Sequence, residues 1–307
     1  MFIHLDLDCF FVSAHRTIDD SLFHIPVAVG GRSNLNIFSS KKEIRKISSN
    51  SGAFVSSILT NEGMKSFKEY FVDENGKIRG IITTSSYEAR AFGVKTAMSV
   101  NEALSLCPHL KMLAPNYPLY HDLSNKLKEL LIKELPLVEQ YSIDEFFGDV
   151  SGYIDEHEIV EFAYYLKKKI FDELKLPISI GISNTKYLSK LITEYAKPDG
   201  IKYVSVDNIA NFTRDIPIKE FPGIGKAFQE KLKGYGIKTL GDIKKNQKLF
   251  YSWQKSGIDL YNRVCGIRDN KLTFEREKKS IGIGRTFDVI FDREELKRRV
   301  MILCRYL

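Results

Sequence analysis

The chain has 307 residues, enough for two or three domains, and its 43% hydrophobic and 28% charged residues are those of a folded protein rather than a disordered tail. No run approaches the ~18 consecutive apolar residues of a membrane helix, the opening MFIHLDLDCFF lacks the basic start of a signal peptide, and Cys9, Cys107, Cys265 and Cys304 are too scattered for a zinc site or disulfide framework. Residues 1–218 carry 25 Lys and Arg against 28 Asp and Glu, net −3, whereas residues 219–307 carry 21 against 11, net +10. The basic last third reads either as the seat of a polyanionic partner or as a solvated lysine-rich surface.

Phe2-Ile3-His4-Leu5-Asp6-Leu7-Asp8 alternates with period two, which puts His4, Asp6 and Asp8 on one face of a strand and Ile3, Leu5 and Leu7 on the other. A helix is predicted from about Phe10 to Ile18, then a short strand over Pro26–Gly31. Residues 33–68 are rich in Ser, Asn and Lys and give only weak helical signals. Asn75-Gly76, between Glu69–Val72 and Lys77–Thr84, predicts a hairpin. Tyr87–Phe92 reads as a helical turn, Val100–Cys107 as a helix stopped by Pro108, and Leu119–Leu135 as a helix stopped by Pro136. A strand pair around Ser142–Val150, a helix Glu156–Leu174, a strand Ile178–Ile182 and a helix Lys186–Ala196 follow. The order strand, helix, strand, strand, helix, strand predicts an α+β, ferredoxin-like sheet whose first strand is set apart by an insertion of roughly residues 11–115. From Ile209 to about Gly266, short helices are joined by the glycine turns Phe221–Gly225 and Gly234–Ile237. Residues 268–280 read as a charged linker, Ser280–Phe287 as a strand and Arg293–Tyr306 as a helix.

Several groups of residues have the right types for phosphate chemistry, and each has a plainer reading. Asp6 and Asp8, with Asp144-Glu145, are either ordinary acids at strand ends or a carboxylate set. Such a set must be neutralised by a cation, and its hard oxygens suit Mg²⁺. Tyr87 and Arg90 share one face of a helical turn, as a triphosphate grip or as a half-buried tyrosine beside a surface arginine. Lys197, in Ala196-Lys197-Pro198-Asp199-Gly200, is a phosphate ligand or a helix-terminal cation. Pro222-Gly223-Ile224-Gly225-Lys226 is a plain interhelical turn or a seat for a DNA phosphate on free backbone N–H groups. Phe10-Phe11 is core, or the floor under a nucleotide sugar.

Taken together, these segments resemble the Y-family of translesion DNA polymerases, most of all its DNA-polymerase-IV branch. The resemblance rests on Asp6-Leu7-Asp8-Cys9-Phe10-Phe11, Tyr87-Glu88-Ala89-Arg90 with Phe92-Gly93-Val94-Lys95, Ser142-Ile143-Asp144-Glu145, Ala196-Lys197-Pro198-Asp199-Gly200-Ile201-Lys202 and Pro222-Gly223-Ile224-Gly225, in the family's order. It implies a palm of residues 1–10 and 116–205, fingers over 11–115 with an insertion at about 33–80, and a helix-hairpin-helix thumb over 206–268. A linker over 269–279 and the start of a truncated little finger over 280–307 would follow.

By position, the resemblance makes Asp6, Asp144 and Glu145 the catalytic, metal-binding carboxylates, assisted by the Leu7 carbonyl and holding two Mg²⁺ ions. Asp8 matches the motif without being carried over as a ligand. Phe11 is the steric gate against a ribose 2′-OH. Cys9, Phe10, Phe11, Thr84, Tyr87, Arg90 and Lys197 would bind the dNTP, and Gly223, Gly225 and Lys226 the DNA backbone. The implied activity is error-prone, template-directed addition of dNTPs to a primer 3′-OH during translesion synthesis. The implied partners are primer–template DNA and, through a C-terminal region, a sliding clamp. A monomer in the bacterial cytoplasm, associated with the nucleoid during repair and with no membrane contact, is expected. Two other readings are a non-catalytic DNA-binding scaffold and a nucleotidyl cyclase, although the basic C-terminal third has no role in a cyclase.

Overall fold

The structure, a computed structural model, describes residues 1–33, 38, 66–267, 271–274, 280 and 282–305. Most of the stretch read as a fingers insertion, and most of the linker over 269–279, lie outside the described residues. In chain order the elements are β1 (Phe2–Leu7), α1 (Phe10–Arg16), β2 (Val27–Gly31), α2 (Phe67–Phe71), β3 (Ile81–Ser85), α3 (Tyr87–Ala91), α4 (Val100–Leu106), β4 (Lys111–Leu113) and α5 (Tyr117–Glu134). Then come β5 (Leu137–Gln140), β6 (Glu145–Asp149), α6 (Ile159–Leu174), β7 (Ile178–Ser183), α7 (Lys186–Glu194) and β8 (Ile201–Tyr203). The helices α8 (Ile209–Thr213), α9 (Lys226–Gly234), α10 (Leu240–Lys245), α11 (Gln247–Ser252), α12 (Gln254–Cys265) and α13 (Arg293–Cys304) complete the described elements. Among the described residues, no helix is long and apolar enough to cross a membrane.

The chain divides into two compact units. The first, Met1–Asp8 with Leu123–Phe274, holds a five-stranded sheet in the order β5-β6-β1-β7-β8. β1 runs antiparallel to both β6 and β7, as a ferredoxin-like sheet requires, and β8 joins β7 in parallel at the edge. As the central strand, β1 is buried on both faces, so even its polar residues His4 and Asp6 are covered. α6 buries Ile159, Ala163, Leu166 and Ile170, the stripe that helical periodicity dictates. α7 turns Leu188, Leu191 and Ile192 into a core shared with Leu232, Leu240, Phe250 and Val264 of the helices that follow.

Gly181 on β7 sets how closely α7 approaches the sheet. A Cβ there would stand 2.3 Å from the Ser189 carbonyl oxygen and 2.4 Å from the Thr193 nitrogen, both backbone atoms that cannot step aside. Gly181→Val should therefore lower stability by about 3 kcal/mol or more, by forcing α7 off the sheet. A denaturant midpoint equal to that of the wild type would refute the close approach.

The second unit, Cys9–Asp122 with Glu275–Leu307, holds a three-stranded sheet in the order β3-β2-β4. Its main core gathers Ala28, Phe71, Ile82, Val94, Val100 and Ala103, and a smaller one gathers Cys9, Val12, Leu22, Val27 and Val29. The C-terminal segment is tied into this unit. The Arg299 guanidinium lies 4.9 Å from the Phe38 ring and 4.8 Å from the Phe287 ring, and Arg79 pairs with Asp288 at 3.1 Å.

The fold departs from expectation in a few places. The hairpin around Asn75-Gly76 reduces to one bridge, Val72 to Ile78, because residues 67–71 are helical. Ser66 starts that helix: its hydroxyl accepts the Glu69 N–H, and the Glu69 carboxylate accepts the Ser66 N–H at 2.9 Å. No strand forms among the described residues of 280–287; the Thr286 N–H goes to Ser33 Oγ at 3.1 Å instead of to a ladder. The strand pair around Ser142–Val150 begins earlier, as β5 and β6. β4 and β8, three residues each, had no sequence signal.

Candidate active site

In the first unit, Asp6 of β1 lies directly opposite Glu145 of β6 in the ladder. Asp144 occupies the turn before β6, and its carbonyl accepts the Leu7 N–H at 3.0 Å. Ser142 shapes that turn: its hydroxyl donates to Asp144 Oδ1 and accepts the backbone N–H groups of Asp144, at 3.3 Å, and Glu145, at 3.1 Å. Behind the turn, Phe146 and Phe147 are buried and anchor the strand.

Two lysines meet these acids. Lys197, in the loop after α7, pairs with Asp6 Oδ2 at 2.9 Å and with Glu194 at 2.8 Å. Lys190, within α7, pairs with Glu145 Oε1. Burial pushes the Asp6 carboxyl up from its usual 3.8 to about 7; Lys197 opposes the shift, and Glu145 and Asp144 reinforce it. Asp144 is also raised, by burial and then by Glu145, against the hydrogen bond from Ser142. Burial works against the charge on Lys197, but Asp6 and Glu194 outweigh it and hold the ammonium above its usual range. Beneath the site, His4 is buried beside Thr193, and burial together with Lys190, Lys197 and Lys186 keeps it neutral.

This donor set suits a hard divalent cation. Its carboxylates are costly to ionise together, and lysine ammonium groups supply the positive charge that they demand. The carboxylate oxygens do not close on one point: among the described residues, the trio with ligand atoms mutually within 4.8 Å is Asp155, His157 and Glu158, all exposed. Asp8 does something else. Its Oδ2 accepts from Ser179 Oγ and from the Asp199 N–H, each at 2.8 Å, so it fastens the loop that carries Lys197.

The other sequence-selected residues fall in two places. Cys9, in a left-handed conformation, caps α1, which carries Phe10 and Phe11. Phe11 and Tyr87 both pack on the smaller core of the second unit. The Arg90 guanidinium lies over the Tyr87 ring at 4.7 Å while its Nε donates to the Ser85 carbonyl at 3.0 Å. Thr84 is half-buried on β3, opposite Val29. Asp6, Leu7, Asp144, Glu145 and Lys197 thus belong to the first unit, and Cys9, Phe10, Phe11, Thr84, Tyr87 and Arg90 to the second. Gly223, Gly225 and Lys226 also lie in the first unit, at the start of α9. Gly223 has φ +94°, which favours glycine, and Gly225 is an N-cap with no side-chain hydrogen bond, in open space.

Sequence reasoning missed Lys190, the positioning role of Ser142 and the fastening role of Asp8. Lys190 left one signal, its place four residues after Lys186 on one face of a helix.

Residues 5–194 match the model of the impB/mucB/samB family, and residues 206–237 that of the IMS family HHH motif. DNA polymerase IV of Photorhabdus laumondii subsp. laumondii is 32% identical over 290 residues, covering 92% of this chain and 70% of that protein. DNA polymerase IV of Shigella flexneri is 30% identical over 287 residues, with the same coverage of 92% and 70%. Among solved structures, the insertion ternary complex of Dbh DNA polymerase superposes with a TM-score of 0.69 at 22% identity, over 88% of this chain and 69% of that one. The Y-family chimera of Dbh and Dpo4 gives 0.71 at 23% identity, over 90% and 70%.

Proposed function

The chain belongs to the impB/mucB/samB family, and from that premise we infer that it is an error-prone, template-directed DNA polymerase of translesion synthesis, adding dNTPs to a primer 3′-OH. The observation that supports this reading most is that Asp6 faces Glu145 across β1 and β6 with Asp144 in the adjoining turn, Asp6 and Glu145 being paired with Lys197 and Lys190 and Asp144 with the Ser142 hydroxyl. Asp6, Asp144, Glu145 and the Leu7 carbonyl would hold two Mg²⁺ ions, which when bound activate the primer hydroxyl and neutralise the departing pyrophosphate.

The chain's own residues do the rest. Asp6 gives up its proton and its Lys197 partner, which frees the Lys197 ammonium for the triphosphate. Ser142 keeps the Asp144-Glu145 turn in shape. Tyr87 and Arg90, with Thr84 and the Cys9-Phe10 backbone, grip the dNTP phosphates, and Phe11 bars a 2′-OH. Gly223, Gly225 and Lys226 seat a DNA phosphate on the start of α9. The +10 charge of residues 219–307 fits a DNA partner held through its backbone. The enzyme works as a monomer in the bacterial cytoplasm, at the nucleoid, and a sliding clamp is its proposed recruiting partner. A non-catalytic scaffold or a cyclase is not favoured, since the carboxylates are present alongside a helix-hairpin-helix element.

Primer extension tests this directly. Incorporation of dNTPs that requires both template and Mg²⁺, and stops with a chelator, is expected. Tight primer–template binding with no incorporation would reverse the reading toward a scaffold.

The carboxylates also imply a pH dependence. Asp6 is raised from 3.8 to about 7, so its protonated form stabilises the metal-free fold fully below pH ~4, and that contribution is lost as pH rises through ~7. Mg²⁺ must displace that proton, so the rise in melting temperature caused by Mg²⁺ should grow between pH 5 and 8. Asp6→Asn should flatten the trend. An increment that is the same at every pH would contradict the assignment.

A further inference from the structure

We propose that His15 and Tyr120 are positioning residues for the Phe11 gate, holding its ring in the one orientation that tells a deoxyribose from a ribose; this rests on the reading of Phe11 given above. Phe11 and His15 are four residues apart on α1 and so emerge on the same side of the helix. Tyr120, near the start of α5, reaches both. Its ring stacks on Phe11 with centroids 4.3 Å apart and planes 15° from parallel, and its hydroxyl lies 2.8 Å from His15 Nε2.

The surroundings leave this arrangement little freedom. Tyr120 is fully buried and His15 is 6% exposed. Phe10 and Tyr117 flank the Tyr120 ring, at 5.9 Å and 5.8 Å between centroids. The His15 ring also hydrogen-bonds the Ala114 backbone, and burial keeps the imidazole neutral. A neutral imidazole has one donor and one acceptor nitrogen. With the proton given to the Ala114 carbonyl, Nε2 is the acceptor and the Tyr120 hydroxyl donates to it. A buried hydroxyl without a partner is costly, so this bond dictates where the Tyr120 ring lies. The ring in turn presents a flat face to Phe11, which is only half-buried and whose other contacts are the edge of the smaller core and the tilted Phe10 ring at 5.7 Å.

A gate of this kind must sense a single oxygen atom. Discrimination of that sort needs the contacting group held to within ~0.5 Å, which a partly exposed phenylalanine does not achieve alone. The hydrogen bond from Tyr120 to His15 supplies the missing constraint, because it joins α1 to the start of α5 directly behind the gate. Simple aromatic packing would need only the ring of Tyr120. The proposal needs its hydroxyl.

The test compares kcat/KM for single dNTP and rNTP insertions, on one primer–template with Mg²⁺, for the wild type, Phe11→Ala, Tyr120→Phe, His15→Leu and His15→Gln. Tyr120→Phe keeps the ring and its volume and loses only the hydrogen bond. It should reduce the dNTP-over-rNTP preference roughly tenfold, mainly through faster rNTP insertion, as a displaced contact does. His15→Leu should act alike, and His15→Gln, whose side-chain carbonyl can accept the hydroxyl, should restore most of the preference. Melting curves identify any variant that fails to fold, and Tyr120→Phe carries the test if His15→Leu does. A preference unchanged in Tyr120→Phe, while Phe11→Ala admits rNTPs, would overturn the positioning role and leave the gate standing. A preference unchanged in Phe11→Ala would overturn the gate, and this inference with it.

Discussion

Asp144→Ala should cut Mg²⁺-dependent dNTP incorporation by about a thousandfold or more, with primer–template binding retained. A metal-bound carboxylate set stabilises developing charge by several kcal/mol, and each 1.36 kcal/mol is a factor of about ten in rate. The substitution should leave the fold intact. The Leu7 N–H still finds the backbone carbonyl of residue 144, and the Ser142 hydroxyl still accepts the Glu145 N–H. One of the acids that disfavour ionisation of Asp6 is gone, so the metal-free variant should melt no lower than the wild type. That combination, a stable protein with its chemistry abolished, separates a ligand from a structural residue. Undiminished extension would remove Asp144 from the reaction.

Phe11→Ala should raise rNTP insertion relative to dNTP insertion by about a hundredfold, because in the proposed function the ring is the bulk that meets the 2′-OH and a bare methyl leaves room for it. Phe11 is half-buried at the edge of the smaller core and stacks on Tyr120, so its loss should cost less stability than that of a fully buried phenylalanine. Insertion of dNTPs should fall far less than insertion of rNTPs rises. Single-nucleotide insertion with a matched dNTP and rNTP pair reads this directly, and an unchanged ratio would move the gate to another residue.

The α+β class and the strand–helix order were legible because long apolar patterns carry them. The period-two run of Phe2–Asp8 marked β1 and put His4 and Asp6 on one face. It did not show that this face is covered. Alternation normally signals a half-exposed strand, and only the pairing with β6 and β7 makes β1 central. β4 and β8 were illegible because three residues have no period; they exist through their neighbours. Around Asn75-Gly76 the turn forms as its signal says, but the capping box one segment earlier makes the first arm helical and leaves a single bridge. In the candidate site, the motifs named Asp6, Asp144, Glu145 and Lys197, but a lysine inside a helix looks like any solvated lysine. The pairing of Lys190 with Glu145 needed the third dimension, as did the hold of Asp8 on the Asp199 loop.

The central place of β1 has a consequence for how the polypeptide emerges from a ribosome. Its two ladder partners end at Asp149 and Ser183, so the strand that carries Asp6 is made well before the neighbours that cover it. At ~5–20 residues per second, roughly 10–35 s separate synthesis of β1 from completion of β7. The stretch from Cys9 to Asp122 can collapse around its own sheet meanwhile, leaving β1 without its ladder partners in the nascent chain. Slow translation before residue 183 would lengthen that exposure and favour aggregation, and the fraction of newly made molecules that becomes active would depend on how soon β1 is captured.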